Sequence, residues 1–144
     1  MRGAVADRVL VDKSDRALTL LRGSVVLKRY RTSLGARPEG PKEREGDERT
    51  PEGIYVIDAR NVRSAFPRSL HVAYPDARDA ARARDAGVSP GGQIMIHGLR
   101  NGFGWVGRLQ RVMNWTDGCV ALTNWEIEEV WHAVPDGTPI EIRP

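Results

Sequence analysis

"RVLVDKSDRALTLLRGSVVLKRYRTSL", Arg8 to Leu34, reads as three strands and two breaks. "RVLVD" (Arg8 to Asp12), "ALTLLR" (Ala17 to Arg22) and "SVVLKRYRTSL" (Ser24 to Leu34) are β-branched or alternate apolar with polar residues. Such runs mark strands that bury one face. "KSDR" and "RG" between them are turn material. The spacing predicts an antiparallel meander at the start of a mainly β chain.

The pattern continues outward. "GARPEGPKEREGDERTPEG", Gly35 to Gly53, mixes glycine, proline and dense charge. It predicts a long ordered surface loop at a cleft, since a loop of that length in a compact domain is usually functional or disordered. "IYVID" (Ile54 to Asp58), "SLHVAY" (Ser69 to Tyr74) and "TPIEI" (Thr138 to Ile142) predict further strands. "GGQIMIHG" (Gly91 to Gly98) predicts a short apolar strand ending at His97. "PDARDAARARDAG" (Pro75 to Gly87) predicts a helix with Pro75 in its first turn and Gly87 as its stop. Asp79, Arg82 and Asp85 are expected on its solvated face. "TNWEIEEVWHAV" (Thr123 to Val134) predicts a second helix. Thr123 and Glu126 form a capping-box pattern. Ile127, Val130, Trp131 and Val134 form one apolar stripe facing the core.

The chain has 144 residues, enough for one domain, with 40% hydrophobic and 28% charged residues. No apolar run is long enough to span a membrane. The excess of +3 is too small to argue for nucleic acid, and the arginines between Arg100 and Arg111 read as a solvated basic face. "MRGAVADRVLVDKSDR" has no secretory h-region, which predicts a cytosolic protein or a processed chain.

A single cysteine, Cys119, excludes an intramolecular disulfide. Composition leaves it open between a small buried hydrophobe and a nucleophile. Its setting, "NWTDGCVALTN", is a polar glycine-containing turn before a capped helix, suited to projecting a thiol into a cleft. A nucleophilic thiol needs a base. His97, at the rim of a rigid strand and followed by Gly98, is the best placed. His71, in mid-strand, can face the cleft or a neighbouring carbonyl, and His132 reads as a surface or partly buried helix position. Asp117 caps the turn or turns toward a histidine. "GFGWVG" (Gly102 to Gly107) lacks the strand before it that a dinucleotide fingerprint requires. His71, His97, Asp117 and Cys119 carry ligand atoms without a metal-binding spacing, so neither a metal nor another cofactor is expected.

"IMIHG", then 20 residues, then "TDGCVALT" resembles the L,D-transpeptidase catalytic domain family, also called YkuD. "GPKEREGDERTPEGIYVID" resembles its K-x-x-x-G-D-x-x-T-P-x-G-x-Y stretch. "SLHVAYPDARDAARARDAGVSPGGQIMIHG" resembles the subgroup acting on peptidoglycan, and "DGTPIEI" its last strand. The resemblance implies one domain over residues 5–142. It implies a β-sandwich-like fold with peripheral helices at about 75–86 and 123–134. It implies that Cys119 attacks an L-to-D bond of a peptidoglycan stem tetrapeptide and forms a thioester. His97 would be the base, Gly98 its orienting carbonyl, and the N–H groups of Gly118 and Cys119 the oxyanion hole. His71, Tyr74, Arg100, Arg108, Thr116 and Asp117 would meet substrate. The acyl group would pass to an amine of a second stem or a lipoprotein; water would make the enzyme a hydrolase. A non-catalytic wall-binding module is the other alternative. Such a protein would be a monomer in the periplasm or cell envelope. Ala121 stands where the commonest family pattern has a basic residue, which Arg100, Arg108 or Arg111 would replace.

Overall fold

The computed structural model describes residues 3–60, 68–98 and 118–144. The expected meander is present: β1 (Arg8–Asp12), β2 (Ala17–Arg22) and β3 (Val25–Arg31) pair antiparallel in sequence. Alternation decides which face is buried. Val9 and Val11 of β1, with Leu18 and Leu20 of β2, are fully shielded from solvent. β8 (Pro139–Arg143) lies parallel to β1 and antiparallel to β4 (Gly53–Arg60). β5 (Ser69–Val72) and β6 (Met95–His97) continue antiparallel, and β7 (Val120–Ala121) closes the order parallel to β6. Among the described residues the sheet runs β3-β2-β1-β8-β4-β5-β6-β7.

The two ends of that order meet. Ser33, just past β3, exchanges backbone hydrogen bonds with Ala121 of β7 at 3.0 and 2.8 Å. Thr32 Oγ1 adds a third bond, to the Ala121 carbonyl, at 2.7 Å. The sandwich-like expectation is therefore realised as one mostly β sheet curled on itself. Its inner face holds Ile57, Leu70, Ile96, Val120 and Ile140.

Helix α1 (Ala77–Asp85) starts later than expected. Asp76 is its N-cap and makes a reciprocal capping box with Asp79, so Pro75 lies outside the first turn. Asp79 is not on a solvated face. It is buried, and its carboxylate accepts a hydrogen bond from Tyr55 Oη at 2.8 Å. Helix α2 (Asn124–Ala133) has the Thr123–Glu126 capping box and buries Ile127 and Val130 as its stripe requires. Among the described residues no helix is long and apolar enough to cross a membrane.

Three charged groups of the loop of residues 35–52, those of Lys42, Asp47 and Glu52, turn inward, against its composition. Lys13 reaches into it and donates to the carbonyls of Gly40 (2.9 Å) and Thr50 (2.7 Å), with Glu52 at 3.0 Å. Lys42 is buried too, paired with Asp47 at 2.9 Å. Asp47 also accepts the N–H groups of Glu43, Arg44 and Arg49. These bonds hold its carboxyl down at about 2 against the opposing effect of burial. The lysine, glycine and aspartate of the K-x-x-x-G-D stretch thus form a turn closed by an internal ion pair.

Candidate active site

β5, β6 and β7 place the candidate residues through their register. Ser69 pairs with His97, His71 with Met95, and His97 with Ala121. The core-facing set of these strands is Leu70, Ile96 and Val120, so Ser69, His71 and His97 share the opposite face. Cys119 immediately precedes β7. Extending the alternation by one residue puts its side chain on the His97 face as a diagonal neighbour, with Cα atoms on the order of 7 Å apart.

His97 is fixed on both sides. Its main-chain carbonyl accepts from Leu122 N at 2.9 Å. Its Nδ1 lies 2.6 Å from the Gly98 carbonyl oxygen. A carbonyl only accepts, so Nδ1 carries the hydrogen and Nε2 keeps the lone pair of a base. The residue is 1% exposed. Desolvation pushes its pKa down to about 4, partly opposed by the Gly98 bond, so the ring is neutral at pH 7. Gly98 is needed for room: a Cβ there would lie 2.8 Å from Asn124 Oδ1 and 3.0 Å from Ile127 Cγ2.

Cys119 is half-buried, and its Sγ–H donates to the Gln93 carbonyl at 3.2 Å. Gln93 adopts φ 56°, a left-handed conformation uncommon outside glycine. Gly118 has φ 122°, and a Cβ on it would lie 2.6 Å from the Arg49 carbonyl oxygen. The charged loop is thus packed directly behind the residue that precedes the thiol. The sheet face, residues 93–98 and the turn of Glu48 and Arg49 converge on Cys119.

The other candidates separate. His71 pairs through Nδ1 with Asp58 at 2.6 Å on the half-exposed face of β5. Tyr74, expected to meet substrate, is instead 3% exposed, edge-on to Tyr55, and donates to the Pro90 carbonyl at 2.9 Å. His132 is exposed, 3.7 Å from Glu128. Arg100, Arg108, Arg111, Thr116, Asp117 and the Gly102 to Gly107 segment lie outside the described residues. Ala121 is fully buried beside His97, so this position is occupied by a small side chain where a basic one was expected from the commonest pattern. Sequence reasoning missed Gln93 and the Arg49 backbone, whose contributions are carbonyl groups that no side-chain pattern announces. It also missed Ser69, whose buried Oγ has no hydrogen-bond partner among the described residues and which faces His97 across the ladder.

Comparison with known proteins identifies the family. Residues 6–142 match the family model of the YkuD L,D-transpeptidase catalytic domain. YafK of Escherichia coli (strain K12), whose name marks its L,D-transpeptidase assignment as provisional, is 29% identical over 97 residues. That match covers 66% of this chain and 32% of YafK, so the chain spans about a third of that relative. The helical cell shape determining protein Pgp2 from Campylobacter jejuni, as its K307A mutant, superposes with a TM-score of 0.74 at 26% identity. This covers 97% of this chain and 47% of Pgp2. An L,D-transpeptidase from Mycobacterium smegmatis shares the fold at TM-score 0.62 and 17% identity, over 95% of this chain and 58% of its own. A buried histidine locked by its neighbour's carbonyl, a half-buried cysteine at the next strand and a family match over nearly the whole chain lead to one statement: this protein belongs to the L,D-transpeptidase catalytic domain family.

Proposed function

We propose that this domain is a cysteine acyltransferase acting on peptidoglycan stem peptides. What supports the reading is the pairing of His97 with Ala121, two residues past the half-buried Cys119, together with the Gly98 carbonyl that holds the neutral His97 ring. Sγ attacks the carbonyl carbon of an L-to-D peptide bond while Nε2 of His97 takes the thiol proton. The C–N bond breaks, the departing D-alanine amine takes that proton, and a thioester remains. An amine of a second stem or of a lipoprotein then attacks the thioester, gives its proton to His97 and releases the thiol. Water in that place gives a free acid, making the domain a carboxypeptidase. The N–H groups of Gly118 and Cys119 are proposed to hold the oxyanion, where preorganised donors act most strongly. A periplasmic or envelope location follows from the substrate. The likeness to Pgp2, whose description names cell shape, supports a role in wall remodelling.

Incubation with a carbapenem followed by intact-mass measurement tests the nucleophile. A covalent adduct is expected on the native protein and is absent from Cys119→Ala. No adduct on the native protein sinks both enzyme readings and leaves a non-catalytic wall-binding module. Supplying a tetrapeptide with and without a diamino-acid acceptor then separates transfer from hydrolysis; release of free acid despite the acceptor favours the hydrolase.

A further inference from the structure

The hydrogen of the Cys119 thiol rests on an acceptor that the chemistry above does not use. Sγ–H donates to the Gln93 carbonyl at 3.2 Å. A thiol carries one hydrogen, so while it lies on this carbonyl it is not offered to Nε2 of His97. The base does not draw it away either. The pKa of His97 is pushed down to about 4 by burial, and an ordinary thiol titrates near 8.5, so the proton stays on sulfur at pH 7. A hydrogen bond given by the protonated form raises the pKa of a thiol further.

The backbone around Gln93 is anchored on both sides. Before it, the Ser89 carbonyl accepts from Glu45 N at 2.8 Å and the Pro90 carbonyl from Tyr74 Oη at 2.9 Å. A Cβ on Gly91 would lie 3.1 Å from Glu45 Cα, so the charged loop packs against this stretch. After it, Ile94 is buried, and its carbonyl accepts from Val72 N at 2.8 Å. Gln93, between these anchors, is exposed and sits at φ 56°. A non-glycine residue in the left-handed region persists where its neighbours over-determine it, and such residues gather at functional sites. The arrangement aims the carbonyl of an exposed residue at the nucleophile.

We propose that the Gln93 carbonyl keeps the Cys119 thiol protonated and unarmed until an N–H of the bound peptide replaces Sγ–H as the donor to that carbonyl. The proposal rests on the acyl-transfer reading above. The matching donor is the N–H of the residue whose carbonyl is attacked, because its nitrogen is bonded to the α-carbon next to the reacting carbon. When the reacting carbon touches Sγ, this N–H comes within reach of an acceptor 3.2 Å from Sγ. An amide N–H is a stronger donor than a thiol. It displaces Sγ–H, whose hydrogen then turns to Nε2 of His97. The C–S bond forms as the proton passes to Nε2, and no further reactant enters. Gln93 thereby couples peptide binding to release of the nucleophile. Thiol reagents that bring no N–H to this carbonyl meet the locked form.

The rate of reaction of the native protein with dithiodipyridine, a neutral disulfide without N–H groups, is measured against pH. Its midpoint is expected above the ordinary thiol value near 8.5. Gln93→Val places a β-branched residue where φ is positive, which turns the backbone and moves the carbonyl off the thiol. Its midpoint is expected to fall by about one pH unit, giving roughly tenfold more thiolate at neutral pH. A second arm uses the native protein alone. A stem tetrapeptide is compared with its depsipeptide, in which an ester oxygen replaces the N–H of the residue whose carbonyl is attacked. For D-alanine release the depsipeptide is expected to lose at least about tenfold in kcat, with KM changed much less. A native midpoint at or below the ordinary value, an unchanged midpoint in folded Gln93→Val, or equal kcat for the two peptides overturns the proposal. The carbapenem adduct on the native protein reports separately on the acyl-enzyme reading. An adduct with an ordinary midpoint sinks the lock alone. A raised midpoint without an adduct sinks the chemistry and leaves a hydrogen-bonded thiol.

Discussion

Nδ1 of His97 is tied to the Gly98 carbonyl, and its surroundings exclude water, so the ring resists protonation down to about pH 4. A histidine with the ordinary value near 6.5 would already be half inactivated as a base at pH 6.5. Acylation of Cys119 is therefore expected to persist from pH 7 into the acid range and to fall only toward pH 4. The rate of adduct formation against pH checks this, and a midpoint near 6.5 contradicts it. The same shift has a stability consequence of definite sign. Between about 6.5 and 4 the unfolded chain binds a proton that the folded one refuses. Stability is full above pH 6.5 and declines by up to about 3 kcal/mol as pH drops toward 4. Ser69 gives a second prediction at this scale. Its buried Oγ has no partner among the described residues, and an unsatisfied buried hydroxyl costs on the order of 1 kcal/mol. Ser69→Ala is expected to be neutral or to raise Tm slightly in a thermal melt; a loss of several degrees would show that the hydroxyl is needed.

The charged loop is the element whose behaviour differs most from its composition. Its sequence is polar enough to be solvated throughout, yet Lys42 and Thr50 are buried and Asp47 is a hub of four hydrogen bonds. Hydrogen bonds to a charged group are worth roughly 1.5–3 kcal/mol each where both partners are buried, less where water competes. Asp47→Ala is expected to lose about 2 kcal/mol in a denaturant melt and to expose the loop to proteolysis. It should also slow acylation, because Arg49 is carried by the same turn and backs Gly118. Unchanged acylation in a folded Asp47→Ala protein would separate the loop from the site. The helices behave differently. The Thr123–Glu126 box lies within four residues and is legible directly, whereas Asp79 is secured by Tyr55, 24 residues away, and its burial has no local signal.

For the whole molecule, closure of the sheet is the decisive event. Ala121 is gripped from both sides, by β6 through its register with His97 and by Ser33 and Thr32 from the far end of the meander. The first strands of the chain thus help fix the strand that Cys119 immediately precedes. Thr32→Val keeps the shape and removes one hydrogen bond to the Ala121 carbonyl. It is expected to cost about 1 kcal/mol, or roughly 3 °C in Tm, with a measurable slowing of adduct formation. Thermal melts and adduct kinetics on the same preparation check it; lowered Tm with unaltered kinetics would show that closure does not position the nucleophile.

Alternation in "RVLVD" and "ALTLLR", the Thr123–Glu126 cap, and the paired "HG" and "DGC" segments are local patterns. Side-chain period and capping act over a few residues, so the sequence by itself determined the mainly β class, both helices and the likeness that singled out Cys119 and His97. Other features depend on groups distant along the chain or on backbone atoms common to every residue. Lys13 finds Gly40 and Thr50 at separations of 27 and 37 positions. The Gln93 and Arg49 carbonyls reach the Cys119 turn by main-chain geometry alone. The burial that depresses the His97 pKa exists only once the sheet has curled. Tertiary structure alone decided these, because a low dielectric and a close backbone approach are properties of packed neighbours and not of any stretch of sequence.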